Sequence, residues 1–228
     1  MKKYELTTNT KMLFGRKLFQ IKALVSFCDV TAGDLGGYIE KEENLSHDGD
    51  AWVYDRALIF GDAKVCGDAW VFGDAQVYGN ALIFGDARVY GNANVLGYAA
   101  VSGNAQVYGT AWVSDNARVY GNARVSGNAR VYGDAQVYGD ALVSGDALVS
   151  GNADYICFKG FGSVNRNTTM FKTKNGDVYV CCGCFAGNLK EFSEKVKETH
   201  GSSKYAKEYL ACVEAAKIHF EIGEKDDK

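Results

Sequence analysis

Three cysteines, Cys181, Cys182 and Cys184, crowd one short stretch, and His200 follows them closely. Thiolates with an imidazole are zinc ligands, and a thiol beside an imidazole is also a nucleophile with its base. The residues do not favour either chemistry. Their spacing is not that of a standard ligand pair, and neither an orienting acid nor an oxyanion-binding turn accompanies Cys182 and His200. On a strand, Val178, Val180, Cys182 and Cys184 would share a face, which reads both thiols as small core residues. Cys182, Cys184 and His200 are therefore the only metal candidates, and no metal, cofactor or catalytic residue is expected. Gly160-Phe161-Gly162 is too short for a phosphate-cradling loop. His47 is a lone imidazole, expected in a solvated loop.

The elements that position these residues are dominated by a repeat. From Val53 to Val149 an aliphatic residue recurs every six positions, 17 times in register, and Ala stands four residues after each, from Ala57 to Ala153. Gly stands two residues after it in 15 of 17 cases, with Asp55 and Asp115 as the exceptions. Asp or Asn follows in 14 of the 17, so the unit reads Ala-x-Val-(Tyr/Ser/Phe)-Gly-(Asn/Asp). A period of six matches no helix and would put Gly in every second turn. In an extended chain, Ala and Val two apart share an inner face, and Gly-Asx tolerates the positive φ of a sharp corner. The fold class that follows is an all-β, triangular parallel β-solenoid of 18 residues per coil and about six coils, with rungs about 4.8 Å apart.

An aliphatic residue with a small residue four positions later, recurring every six, resembles the hexapeptide-repeat, LpxA-like left-handed β-helix superfamily, over residues 51–156. The upstream segments Asp29-Val30-Thr31-Ala32-Gly33-Asp34-Leu35-Gly36-Gly37-Tyr38, Asn44-Leu45-Ser46 and Gly49-Asp50-Ala51-Trp52-Val53-Tyr54 are similar to the opening of YdcK-like hexapeptide proteins, and the layout resembles phage and prophage proteins. The resemblance implies a left-handed coil. Gly two rather than one residue after the aliphatic position departs from the enzyme pattern and leaves the hand open, with a bactofilin-like right-handed solenoid as the competitor. The superfamily's acyltransferases use a His base and bind an acyl-CoA donor between subunits or under loops that interrupt the coils. Here no His falls between residues 48 and 199, and the period is unbroken, which argues against transfer chemistry unless the C-terminal part supplies a His.

The flanks read as caps. Residues 1–50 form a β-rich N-terminal cap containing the apolar run Leu18–Val25, needed because an open solenoid end exposes unpaired backbone. Residues 157–228 form a small C-terminal α+β module. Asn175-Gly176 joins strand-like runs 168–173 and 178–182 in a hairpin, Asn188 with Glu191 caps a helix stopped by Gly201, and a second helix covers about 203–222.

Residues 18 apart stack on one outer face. Face one displays Trp52, Tyr54, Trp70, Phe72, Arg88, Tyr90 and Tyr108, an aromatic ladder of interface composition. It is expected to be covered by a flank, by a second copy in a homo-oligomer or by another protein. Faces without Thr columns do not suit ice binding. The composition is 47% apolar with 27 Gly and no Pro, and the net charge of −3 gives no pull toward nucleic acid or anionic membrane. No run approaches the roughly 18 apolar residues of a membrane span. Seven cysteines, an odd number, without an apolar leader suggest reduced thiols and a cytoplasmic protein. The expected function is a non-catalytic interaction or assembly protein, phage-encoded on the resemblance. An acyl-CoA-dependent acyltransferase and a polymer-forming scaffold are the alternatives.

Overall fold

The computed structural model describes residues 2–222, so residues 223–228 of the expected C-terminal module and Met1 of the cap lie outside the described residues. The repeat folds as 17 two-residue rungs, from Trp52–Val53 to Leu148–Val149, arranged in three parallel sheets. Residues 18 apart pair in register, as Trp52 with Trp70 and Val53 with Val71, which gives about six triangular coils. The Ala and Val/Ile positions fill the prism and are sealed from solvent. The exception is Ala153. It is exposed in a 3₁₀ turn, Asn152–Asp154, where the Asp154 carboxylate accepts from the Ser150 and Gly151 amides and turns the chain out of the coil.

Each rung donates forward and accepts backward. The Trp52 amide donates to Ala69 O and that of Tyr54 to Val71 O, so the Ala, Val and Gly carbonyls of the first coil have no preceding coil to serve. The N-terminal cap supplies donors in its place. It comprises a hairpin of β1 (Tyr4–Leu13) and β2 (Arg16–Ala23), with β3 (Leu35–Ile39) antiparallel to β2 and parallel to the rung at Leu58–Ile59. The Tyr38 and Glu40 amides donate to Ala57 O and Ile59 O. The Lys3 ammonium reaches Gly49 O and Ala51 O at 3.0 and 2.8 Å, and the Asn44 amide reaches Gly61 O and Ala63 O at 3.0 and 2.8 Å. Burial lowers the Lys3 pKa to about 8 against the opposing pull of Asp50, Asp48 and Asp68.

At the other end the unserved groups are forward-pointing amides, and the chain supplies acceptors. Asn152 Oδ1 takes the Gln136 amide at 2.9 Å and Thr169 Oγ1 takes that of Leu142 at 3.0 Å. Thr169 belongs to an antiparallel sheet of four strands, β4 (Tyr155–Phe161), β5 (Arg166–Lys172), β6 (Val178–Cys182) and β7 (Phe185–Asn188). Two of these, β5 and β6, are the hairpin read from the sequence. The sequence reading lacked β4 and β7: β4 spans the boundary placed between residues 156 and 157, and β7 is four residues long with two glycine-adjacent positions.

Tyr155, Phe171 and Cys181 close the prism, while Met170, Val180 and Cys182 face the helices. The helices are α1 (Leu189–His200), with the reciprocal Asn188–Glu191 cap, and α2 (Lys204–His219), capped by Ser203. The second helix ends earlier than 222 because Phe220 turns back on the amphipathic face.

The corners require their glycines. Gly91 has φ +72°, and a Cβ there would stand 3.1 Å from the Gly109 nitrogen of the next coil. Asp55 and Asp115 take the same left-handed conformation, at φ 54° and 57°. Each recovers a hydrogen bond that glycine could not make, through a carboxylate that accepts from Gly73 N or Gly133 N at 3.0 Å.

Candidate functional site

The side chains of face one do not form one continuous outer surface. Trp52 is 1% exposed, enclosed edge-on by Tyr4 and Phe27 of the cap, and is thereby removed from the expected interaction face. The cap must lie there to serve the first coil's carbonyls. Further along, the rings bury one another. Phe72 stacks on Tyr90 with centroids 4.7 Å apart, and Tyr90 on Tyr108 at 4.9 Å, both within a few degrees of parallel. These separations are the rung spacing, because identical positions in successive coils are in register.

The Arg88 guanidinium lies 5.0 Å over the Trp70 ring, and Tyr54 meets Trp70 edge-on. Desolvation in the stack raises the Tyr90 phenol pKa. Trp70, Phe72, Tyr90 and Tyr108 are half-buried and Arg88 is exposed. Similar pairs occur on the other faces, Phe60 with Tyr78 and Tyr120 with Tyr138. Ring ladders are thus a property of the whole repeat, with face one carrying the longest. The ladder expected to need a flank or another molecule to cover it is thus partly covered by its own rings, which follows from the same period.

His47 is not the solvated imidazole expected. It stacks on Tyr4 with centroids 4.3 Å apart, its Nδ1 accepts from the Lys3 amide at 3.2 Å, and its buried Nε2 has no hydrogen-bond partner among the described residues, Glu42 lying 3.8 Å away. The acceptor nitrogen is occupied and the other is sealed, so this ring has no free lone pair for a substrate proton.

Cys182, Cys184 and His200 do converge, on one cleft of about 460 Å³ between the C-terminal sheet and α1. Their environments differ. Cys182 is buried and its sulfur accepts from the Thr168 hydroxyl at 3.1 Å, whereas Cys184 is exposed. Cys184 is therefore not the core residue that strand alternation implied. Gly183, at φ +61°, turns the chain between β6 and β7 and ends the alternation one residue earlier. Cys181 is the second buried thiol, on the opposite face, 3.3 Å from the Ser144 hydroxyl of the last coil, and burial raises its pKa.

His200 ends α1 and leans on Tyr209 at 5.7 Å, whose phenol pKa burial pushes up to about 12. Cys212, unassigned by sequence, is buried beneath with its pKa pushed up to about 11, again by burial. Among the described residues no group of three or more His, Cys, Asp or Glu side chains could hold a metal ion. Also among them, no helix is long and apolar enough to cross a membrane.

The family model described as the YdcK beta solenoid repeat matches residues 75–91, 111–125, 117–133, 123–139 and 135–151. A protein of Escherichia coli (strain K12), named uncharacterized acetyltransferase YdcK, is 47% identical over 45 residues, which is 19% of this chain and 14% of that protein. The matched segment thus spans a small part of the relative's length. The family-model matches fall within the repeats that form the uninterrupted coil stack. The chain folds as a hexapeptide-repeat β-solenoid whose repeats are similar to the YdcK beta solenoid repeat.

Proposed function

We propose that the chain is a non-catalytic interaction protein, a rigid capped solenoid that presents the middle of face one, from Trp70 to Tyr108, to another protein or to a second copy of itself. The observation that carries this reading is an unbroken stack of rungs with no inserted loop, beside which the nearest imidazole, His47, is locked into the cap. Acyl transfer in the superfamily uses a histidine base, and none falls between residues 48 and 199. Exposed Arg88 over a flat run of rings is a surface of interface composition. Two occupied ends disfavour head-to-tail polymerisation, because the edges a polymer would pair are already served.

The test is a photo-crosslinking amino acid placed at Arg88, with a control at Tyr98, an exposed corner residue. A discrete adduct from position 88 and none from 98, in the native host, supports the proposal and identifies the partner. No adduct from 88 sinks it. Acetyl transfer is the second reading, because the relative's name contains it. Saturable acetyl-CoA binding in calorimetry would favour it over ours.

A further inference from the structure

We propose that the cleft between the C-terminal sheet and α1 is a binding site for a small organic anion with an apolar body, of the carboxylate class. The cleft of about 460 Å³ falls in the size range of small-molecule sites, and Phe185, Phe192 and Val196 give it an apolar floor. Arg166 and Lys195 supply its charge beside the His200 imidazole, and neither Asp nor Glu lines it. The charges are not equally free. Lys195 is held by Glu198 at 2.9 Å, while Arg166 makes no ion pair among the described residues.

Arg166 is also positioned. Its guanidinium lies across Gly183, in the space a Cβ there would fill, so the turn that carries Cys184 is shaped around it. An unpaired guanidinium beside apolar walls gains from a carboxylate, which it can take in a two-pronged hydrogen-bonded pair. The same basic set opposes a metal cation, although two thiols and an imidazole line the cleft.

Octanoate and 1-octanol, matched in their apolar part and differing in charge, are titrated into the full chain and followed by amide NMR. Saturable octanoate shifts at Arg166, Gly183 and Val196, with 1-octanol weaker by on the order of tenfold, are expected. Arg166→Met should weaken octanoate by a similar factor, Arg166→Lys should restore part of it, and Lys190→Met, on the exposed side of α1, should leave it unchanged. If Arg166→Met does not fold, the octanoate-to-octanol ratio on the unaltered chain decides. Equal binding of the two probes, no saturable shift at the cleft, or a folded Arg166→Met variant that binds as before would overturn the proposal.

Discussion

At the scale of single residues, the prism interior allows no polar atom. Val101 is fully sealed, with Ile83 and Val119 as its register partners, so a carboxylate there would have neither water nor a partner. Val101→Asp should lose several kcal/mol, read as a fall in Tm well beyond that of Val101→Ala. A Tm within a few degrees of the unaltered protein would contradict the register. Lys3 is the opposite case, a charged group whose burial serves backbone carbonyls. With a folded pKa near 8 and an ordinary unfolded value of 10.5, the unfolded chain binds more protons between those limits. Stability from this group therefore rises as pH goes from 8 to 10.5. The Tm difference between the unaltered chain and Lys3→Met should shift in favour of the lysine across that window, and a difference independent of pH would refute the assignment. The Val and Ala positions were legible because their period admits one reading. Lys3 was not, because nothing local in Met-Lys-Lys-Tyr tells which ammonium will be folded onto a coil end.

At the scale of the element, a corner combines a positive φ with close approach to the next corner, and the two can be separated. Gly91 has both, whereas Gly145 has φ +63° with no atom within 4 Å of a Cβ. Gly145→Ala should cost only the conformational term, about 1–2 kcal/mol, and Gly91→Ala should cost more because the Gly109 backbone must also move. Equal losses in denaturant unfolding would show that coil stacking places no demand on the corner. The hairpin and both helix caps were readable from Asn175-Gly176, Asn188 with Glu191, and Gly201, since each signal is satisfied within a few residues. The exposure of Cys184 and the strand at Phe185–Asn188 depend on Gly183 yielding space to Arg166, a contact between residues far apart in sequence. The ring ladders lie between these cases. Their spacing follows from the period, but their mutual burial depends on which ring stands 18 residues on.

At the scale of the whole molecule, the solenoid is a stack in which each coil serves the one before it, so its two ends are chemically different and each flank answers one of them. The N-terminal cap brings donors to carbonyls and the C-terminal module brings acceptors to amides. Removing residues 1–40 would leave Ala57 O and Ile59 O without the Tyr38 and Glu40 amides and would uncover Leu58 and Phe60, which now pack with Leu18. An exposed sheet edge beside fresh apolar surface is a template for pairing with another chain. The truncated protein should keep the β signal of its remaining coils in circular dichroism and associate, with light scattering giving at least twice the mass of the intact chain under the same conditions. Restoring the cap as a separate peptide of residues 1–40 should reverse the association, because the edge it occupies is the one being paired. A truncated chain that stays folded and keeps the intact chain's oligomeric state would mean that the first coil tolerates its unserved carbonyls in water. The donor role assigned to Lys3 and β3 would then be incidental to the fold.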